Sequence, residues 1–236
     1  MKHTYIGTDL ESMSFAKNYH RWILEQFRPY LGKRLVEVGA GTGNFSELLA
    51  TLEPDALTLV EPSMMARKLR TRFSNPLFHK VQIFDSLFRE VSEDIRSCRP
   101  DSIIYVNVLE HIEDDRSELD AVCTTLRPGG RIFVFVPAHQ WLYGEFDRSV
   151  GHYRRYKRND LEEKCTSAGF RILHSIYFDL IGIVPWWIKF RLIKSNHLTP
   201  GSVRIYDRHF IPIIRYVETI LAPPIGKNIL LIAEKC

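Results

Sequence analysis

Residues 35–45 read LVEVGAGTGNF, and this stretch decides the fold class. Its first half is an apolar run of the kind that forms a buried strand, and three glycines follow at alternate positions. Glycines after a buried strand let the backbone turn sharply and approach a ligand closely, because no Cβ stands in the way. The pattern predicts a strand, a ligand-binding turn and a helix that begins near Asn44.

Strand-like and helix-like segments alternate along the chain, which is the pattern of a parallel sheet covered by helices on both faces. Helices are predicted near residues 14–27 and 159–168. We expect an α/β fold: a Rossmann-like, doubly wound, seven-stranded, mostly parallel sheet with a helical insert between the last two strands. The predicted strands are RLVEVG (34–39), ALTLVE (56–61), VQIFD (81–85), DSIIYVN (101–107), GRIFVFVP (130–137), FRILHSIYF (170–178) and NILLIAEK (228–235).

Composition and charge argue against several classes of protein. A chain of 236 residues suits one compact domain, and a net charge of +4 falls short of the concentrated basic stripe of a nucleic-acid binder. The four cysteines lie far apart, without the paired spacing of a zinc site, and no apolar run of about 18 residues occurs. We therefore expect a cytoplasmic protein with reduced cysteines and no nucleic-acid partner.

The spacing of the three glycines argues against a dinucleotide site. The pyrophosphate-binding fingerprint G-x-G-x-x-G needs a glycine at position 44, where this chain has Asn44. Glu37 lies just before the turn, and a carboxylate there repels phosphate but attracts an ammonium or sulfonium cation. A positively charged, phosphate-free nucleoside is the better ligand, and an NAD-dependent oxidoreductase is the weaker alternative.

The stretch VEVGAGTGNF resembles motif I of the class I S-adenosylmethionine-dependent methyltransferases, and the strands within residues 34–136 follow in that family's order. The resemblance implies S-adenosylmethionine as cofactor and S-adenosylhomocysteine as product. It implies that Glu61 binds the ribose hydroxyls and that Asp85 holds the adenine amino group. It also implies that Asn107 and Leu109 line the methionine part. The predicted cofactor-binding residues are Tyr19, Trp22, Glu37, Gly39, Gly41, Gly43, Asn44, Phe45, Glu61, Pro62, Asp85, Ser86, Asn107 and Leu109.

The same resemblance assigns the whole chain to a single methyltransferase domain. The motifs cover the first five strands, and the later segments are assigned by their position after them. The predicted segments are an N-terminal helix that covers the cofactor (1–30), the cofactor-binding core (31–136), an acceptor loop, helix and strand (137–178), a helical insert or lid (179–226) and the last strand (227–236).

The loop PAHQWLYGEFDRSVGHYRRY (137–156) is dense in side chains that bind or deprotonate a substrate. His152 is the first candidate for a general base, because imidazole titrates near working pH, and His111 is the alternative. For each histidine, a structural role in fixing its loop is the competing interpretation. A base is needed most for a hydroxyl, which favours methylation of oxygen. The predicted substrate-binding residues are His139, Trp141, Tyr143, Arg154, Arg155 and Tyr156.

Methyl transfer needs no metal, because the cofactor itself supplies the reactive carbon. The acidic residues 113–115 more simply begin a helix, so the sequence predicts no metal site. The expected acceptor is a small-molecule, natural-product, or lipid- or glycan-linked compound. A non-catalytic, cofactor-binding scaffold protein remains an alternative, because cofactor binding does not prove turnover.

The insert of residues 179–226 contains an apolar stripe that includes Trp186 and Trp187, with Lys189, Arg191 and Lys194 beside it. Three interpretations remain open. The insert is a lid over a hydrophobic acceptor, a peripheral contact with an anionic membrane, or a homodimer interface or ordinary core packing.

Overall fold

The computed structural model describes residues 15–195 and 198–236. Seven strands form one sheet, which confirms the predicted fold class. The strands are β1 (Arg34–Val38), β2 (Ala56–Val60), β3 (Val81–Phe84), β4 (Ser102–Val106), β5 (Arg131–Pro137), β6 (Phe170–Phe178) and β7 (Asn228–Lys235). Their order across the sheet is β3-β2-β1-β4-β5-β7-β6. The pairs among β1 to β5 are parallel, whereas β7 runs antiparallel to β5 and β6.

Helices connect the strands and form the insert. The start of the predicted leading helix at residue 14 lies outside the described residues. None of the described helices has the length and apolar character that crossing a membrane requires. The helices are α1 (Lys17–Phe27), α2 (Asn44–Ala50), α3 (Met65–Arg72), α4 (Phe88–Ser97), α5 (Asp115–Thr125), α6 (Glu145–Ser149), α7 (Arg158–Ser167), α8 (Ile183–Trp186), α9 (Pro200–Ile205) and α10 (Ile211–Ile220). Two π-helical segments, Trp187–Leu192 and Tyr206–Phe210, extend α8 and join α9 to α10.

The sheet separates two apolar layers, because successive strand side chains point to opposite faces. Leu35 faces the layer that contains α1, α2 and α10, whereas its neighbour Val36 faces α4, α5 and α7. Both residues are almost completely buried. Burial on both faces explains why the central strands β4 and β5 are rich in consecutive apolar residues.

β1 and β4 are neighbours in the sheet although they are not consecutive in the chain. The chain leaves β1 towards β2 on one side and later returns to β4 on the other, which creates a crevice beyond the carboxyl ends of these strands. Gly39 follows β1 and packs against the segment after β4. A Cβ at Gly39 would lie only 2.4 Å from Cγ2 of Val108, so no larger residue fits there.

The insert is fastened to the leading helix at this end of the sheet. The carboxylate of Asp207 accepts hydrogen bonds from the backbone N–H groups of Asn18 and Tyr19, at 3.0 and 2.9 Å. α1 has no acidic residue in its own first turn, and these amides have no partner within the helix. Asp207 therefore caps α1 from the insert, and the two segments together cover the crevice.

Candidate active site

A cavity of about 190 Å³ opens where β1 and β4 end. The glycine turn after β1, the segment after β4, the leading helix, the loop after β5 and the insert all contribute to its wall. The cavity thus brings together residues that are far apart in the chain. The predicted site residues that line it are Tyr19, Glu37, Gly39, Gly41, Asn44, Phe45, Asn107, His111, His152 and Arg155.

The glycine turn is held open by the carboxylate of Glu61. Gly39 and Gly41 have φ angles of 70° and 54°, in the left-handed region that glycine adopts without strain. The N–H of Gly41 donates to Oε2 of Glu61 at 2.7 Å, and the N–H of Ser63 donates to Oε1 at 3.0 Å. Glu61 is buried beneath the turn and does not line the cavity. Its role towards the ribose hydroxyls stays a prediction.

Glu37 places a carboxyl group on the cavity wall. Its side chain is buried, and Oε2 accepts a hydrogen bond from the hydroxyl of Ser46. Burial raises the pKa of Glu37 to about 8; the hydrogen bond from Ser46 opposes this shift and the charge of Glu61 adds to it. A cation bound in the cavity would favour the ionised carboxylate and lower this pKa.

Several predicted cofactor-binding residues lie outside the cavity wall. Pro62 and Asp85 follow β2 and β3, which end side by side, but Asp85 is exposed to solvent. The hydroxyl of Ser86 donates to Glu90 at 3.1 Å. None of these positions lines the cavity, and their contact with an adenine ring stays a prediction.

Three other predicted cofactor residues occupy structural positions. The ring of Trp22 is buried against Phe178, with the ring centroids 3.7 Å apart. Leu109 is fully buried in the apolar layer opposite α1. Gly43 precedes α2 with a φ of 87°, and a Cβ there would lie 2.9 Å from Cδ2 of Leu69.

Arg154 and Tyr156, both predicted to bind substrate, are bonded to Asp115 instead. The hydroxyl of Tyr156 donates to Oδ2 of Asp115 at 2.9 Å, and Nη1 of Arg154 lies 2.9 Å from the same oxygen. Arg154 also donates to the backbone carbonyls of Ile112 and Glu113. Neither side chain lines the cavity, because these bonds fasten the loop to the start of α5.

The remaining predicted substrate residues of this loop also lie away from the cavity wall. The hydroxyl of Tyr143 donates to the backbone carbonyl of His152 at 2.7 Å. His139 stacks on Tyr177, with the ring centroids 5.0 Å apart, and Trp141 is half exposed. Of the six predicted substrate-binding residues, Arg155 is the one that lines the cavity.

His152 is oriented by the fully buried carboxylate of Asp147. Nδ1 of His152 lies 2.8 Å from Oδ1 of Asp147, and Nε and Nη2 of Arg155 donate to the same carboxylate. Burial works to raise the pKa of Asp147, but the hydrogen bond from His152 and the charge of Arg155 outweigh it, so this pKa is lowered. A carboxylate only accepts, so Nδ1 carries a proton, and in the neutral imidazole Nε2 has the lone pair.

Glu110 and His111 lie next to His152. Oε1 of Glu110 is 3.8 Å from Nε2 of His152, and the rings of His111 and His152 have centroids 4.6 Å apart. Burial raises the pKa of Glu110 to about 7, although the charge of His152 opposes the shift. Burial lowers the pKa of His111 to about 3, which keeps this imidazole neutral. Ligand-type atoms of the three side chains lie within 4.8 Å of one another. Such a group could hold a metal ion, and the expectation of no metal site stays a prediction.

Sequence reasoning missed several residues of the cavity wall. Glu110 stands within the stretch NVLEHIED (107–114) that follows β4, and its position directly before His111 was the available signal. His20 lies one residue after Tyr19, and burial lowers its pKa to about 4. The others have no sequence signal, because tertiary packing brings them to the wall. The missed residues are His20, Ala40, Thr42, Val106, Glu110, Pro137, Phe146, Leu198, Lys227 and Asn228.

Residues 14–175, more than half of the chain, match the family model described as a methyltransferase domain. The chain belongs to this family. The resemblance that motif I suggested is thereby confirmed. The matched range includes the glycine turn, the acidic residue before it and the segment after β4.

Sequence relatives include proteins named ubiquinone biosynthesis O-methyltransferase. The protein from Azotobacter vinelandii is 29% identical over 168 residues, which cover 64% of this chain and 69% of the relative. That from Aeromonas salmonicida is 29% identical over 120 residues, or 48% of this chain and 47% of the relative. The human mitochondrial protein is 25% identical over 109 residues, or 45% of this chain and 29% of the relative. The matches thus span less than half of the Aeromonas and human proteins.

Solved structures confirm the fold. A S-adenosylmethionine-dependent methyltransferase from Archaeoglobus fulgidus superimposes with a TM-score of 0.65 at 17% identity, covering 96% of this chain and 98% of that one. A protein from Thermotoga maritima described as a possible histamine N-methyltransferase gives a TM-score of 0.61 at 16% identity, covering 98% and 96%. The [4+2]-cyclase SpnF also superimposes, with a TM-score of 0.60 at 19% identity over 93% of this chain and 80% of that one. The fold therefore does not by itself determine the chemistry.

Proposed function

We propose that this chain binds S-adenosylmethionine in the cavity and transfers its methyl group to a hydroxyl of a small hydrophobic acceptor. One observation carries the proposal: His152, held by Asp147, lines the same cavity as the glycine turn and Glu37. A cation-binding wall and an oriented imidazole therefore face one space. Methyl transfer from a sulfonium compound to a hydroxyl is assisted by both features.

The cofactor end of the cavity is formed by the glycine turn and its neighbours. The backbone at Gly39 and Gly41 comes close to the cavity without side chains in the way, and the carboxylate of Glu37 suits the ammonium group of the cofactor. Asn107 follows β4 with a φ of 55°, which turns the chain into the cavity wall. Aromatic rings of Tyr19 and Phe45 complete a wall that suits a sulfonium cation.

The acceptor end combines apolar surface with the His152 cluster. Phe146 and Trp186 line the cavity, with ring centroids 5.2 Å apart, and Arg155 lies over the ring of Trp186 at 4.8 Å. Trp186 belongs to the insert, so the insert acts as a lid over the acceptor. The O-methyltransferase names of the sequence relatives support a hydroxyl as the methylated group.

The outer face of the insert suits an anionic lipid surface that supplies a hydrophobic acceptor. Between residues 180 and 226 the sequence has six Lys and Arg but only two Asp and Glu, and of these two Asp207 is buried beneath α1. The insert also exposes many apolar side chains, and cations together with exposed apolar side chains are the mixture that binds at a membrane interface. The exposed apolar residues of the insert are Ile181, Val184, Trp187, Ile188, Leu192, Ile193, Ile205, Phe210, Ile213, Tyr216, Val217, Ile220, Leu221 and Ile225.

Two measurements test this function in order. Calorimetry with S-adenosylhomocysteine and with NAD first identifies the cofactor, and we expect binding of the former alone. Methyl transfer from labelled S-adenosylmethionine is then measured on hydroxylated aromatic acceptors, with and without an alkyl tail, in solution and in anionic vesicles. We expect labelled ether product, and faster turnover of the tailed acceptors. Binding of NAD in place of S-adenosylhomocysteine would support the oxidoreductase alternative, and binding without turnover would support the scaffold alternative.

A further inference from the structure

Three side chains of metal-ligand type converge on one point of the cavity wall. Glu110 and His111 follow β4, and His152 comes from the loop after β5. One ligand atom from each side chain lies within 4.8 Å of the other two. Two imidazole nitrogens and one carboxylate oxygen are a ligand set found in metal sites that keep open coordination positions.

The carboxyl group of Glu110 has no hydrogen-bond partner that would explain its burial, although the backbone carbonyl of Glu110 accepts from Tyr153. Its side chain is completely buried, and neither carboxyl oxygen has a hydrogen-bond partner among residues 15–195 and 198–236. A buried polar group without a partner costs free energy, and a buried carboxylate costs more. Buried carboxylates in folded proteins are paired or coordinate metals. Nε2 of His152 lies 3.8 Å from Oε1 of Glu110, which is beyond hydrogen-bond distance.

Each of the two histidines makes a hydrogen bond of the kind that fixes the ring of a metal-binding histidine. Nδ1 of His152 donates to Asp147 at 2.8 Å, which leaves the Nε2 lone pair on the side of Glu110. His111 makes a hydrogen bond with the backbone of Gly151. A histidine that binds a metal through one nitrogen usually donates the other N–H to a carboxylate or backbone carbonyl, which fixes the ring.

We infer that Glu110, His111 and His152 bind one divalent transition-metal ion, of the Zn²⁺ or Mn²⁺ type, with at least one coordination position open to the cavity. Metal–ligand bonds of about 2.1 Å in tetrahedral geometry place ligand atoms roughly 3.4 Å apart, so the ion draws the three side chains closer together. The formal charges of Glu110, Asp147 and Arg155 sum to −1. A divalent ion changes this sum to +1, which suits an ionised acceptor oxygen.

The role of the ion in catalysis rests on the proposed methyl transfer, whereas its binding does not. The acceptor hydroxyl takes the open position, its pKa falls, and its proton leaves to water. The acceptor oxygen then forms a bond to the methyl carbon while the bond from that carbon to sulfur breaks. The products are the methyl ether, S-adenosylhomocysteine and one proton. In this mechanism His152 holds the ion, so it is not the group that accepts the proton.

The binding test needs no acceptor. The purified protein is treated with a chelator, dialysed and titrated by calorimetry with Zn²⁺ and with Mn²⁺, and a Co²⁺ titration is followed by visible absorption. We expect one ion per chain. Glu110→Gln, which keeps the side-chain volume, and His152→Ala should each weaken binding by at least about 100-fold. The matched controls His79→Ala and Glu163→Gln replace exposed residues and should bind the ion as the parent does.

Thermal unfolding and S-adenosylhomocysteine binding of each variant show whether it is folded. Should Glu110→Gln unfold, the Co²⁺ spectrum of the parent still decides, because ligation by nitrogen and oxygen changes its visible bands. Absence of stoichiometric binding, or equal binding by parent and folded Glu110→Gln, overturns the inference. Methylation that continues unchanged in chelator overturns the catalytic role of the ion and leaves the proposed function standing. Ion binding without methylation of any acceptor contradicts the proposed function and leaves the metal site standing.

Discussion

Asp147 accepts a hydrogen bond from Nδ1 of His152 at 2.8 Å, and the same buried carboxylate holds the guanidinium of Arg155. The loop after β5 therefore folds around one carboxylate, which places both side chains on the cavity wall. In the neutral imidazole, Nε2 of His152 has the lone pair. The orientation of the imidazole ring depends on Asp147.

His152→Ala should lower kcat by about two to four orders of magnitude, because it removes the oriented imidazole at the reacting oxygen. The affinity for S-adenosylhomocysteine and the unfolding temperature should change little. His79→Ala, in an exposed position, is the control. A lower unfolding temperature together with an unchanged kcat would instead assign His152 a structural role in its loop.

Cofactor affinity should rise with pH between pH 6 and 7.5. The buried carboxyl of Glu37 has a pKa of about 8, so it is mostly protonated in this range. A cationic cofactor favours the carboxylate and lowers this pKa, so binding releases a proton, and affinity increases by at most about tenfold per pH unit. Calorimetry in buffers of different ionisation enthalpy measures the released proton. Glu37→Gln should abolish this proton release, and a pH dependence that survives in this variant would contradict the assignment.

Glu61→Ala should weaken cofactor binding by about 1.5 to 3 kcal/mol, the range for hydrogen bonds to charged groups. Part of this loss would come from the protein itself, because Oε2 of Glu61 accepts the hydrogen bond from the N–H of Gly41 that supports the turn. Titration with S-adenosylhomocysteine measures the loss, with Glu163→Ala as an exposed control. Unchanged affinity in a folded Glu61→Ala protein would show that the turn needs no such support.

Substitutions of two adjacent tryptophans distinguish the proposed role of the insert as a lid from its proposed contact with a membrane. Trp186 lines the cavity, whereas Trp187 has 43% of its surface exposed. Trp186→Ala should raise KM for a tailed acceptor about tenfold or more and leave vesicle binding unchanged, since it removes buried apolar contact. Trp187→Ser should weaken binding to anionic vesicles and leave KM for a soluble acceptor unchanged. Kinetics and vesicle sedimentation measure the two effects, and identical behaviour of both variants would contradict the division of roles.

The strands and the glycine turn could be predicted because their signals are local. Apolar residues predominate in the runs that became β1 to β7, and Gly39, Gly41 and Gly43 follow the first of them directly. Each of these glycines has a positive φ, as a turn of this kind requires. Apolar periodicity and backbone restriction act within a few residues, so one sequence suffices to read them.

The wall of the candidate site could not be predicted to the same extent, because it depends on contacts between distant segments. Arg154 and Arg155 are adjacent and chemically alike, yet Arg154 binds Asp115 and Arg155 binds Asp147. Nothing in the sequence RRY distinguishes them. The position of Glu110 in the site could not be predicted for the same reason, because Glu110 and His152 meet only in the folded chain and are 42 residues apart in sequence. Successive side chains of an extended loop point in different directions. Which of them reaches the cavity wall is decided only when distant segments pack together.

The most direct test of the account is methyl transfer itself, measured with S-adenosylmethionine labelled in the methyl group and a panel of hydroxylated acceptors with and without an alkyl tail. Label should appear as a methyl ether of at least one tailed acceptor, with one S-adenosylhomocysteine formed per methyl group transferred. The His152→Ala protein should lose this product while still binding S-adenosylhomocysteine. Parent protein that binds S-adenosylhomocysteine but transfers no label to any hydroxyl, or a His152→Ala protein as active as the parent, would contradict the account.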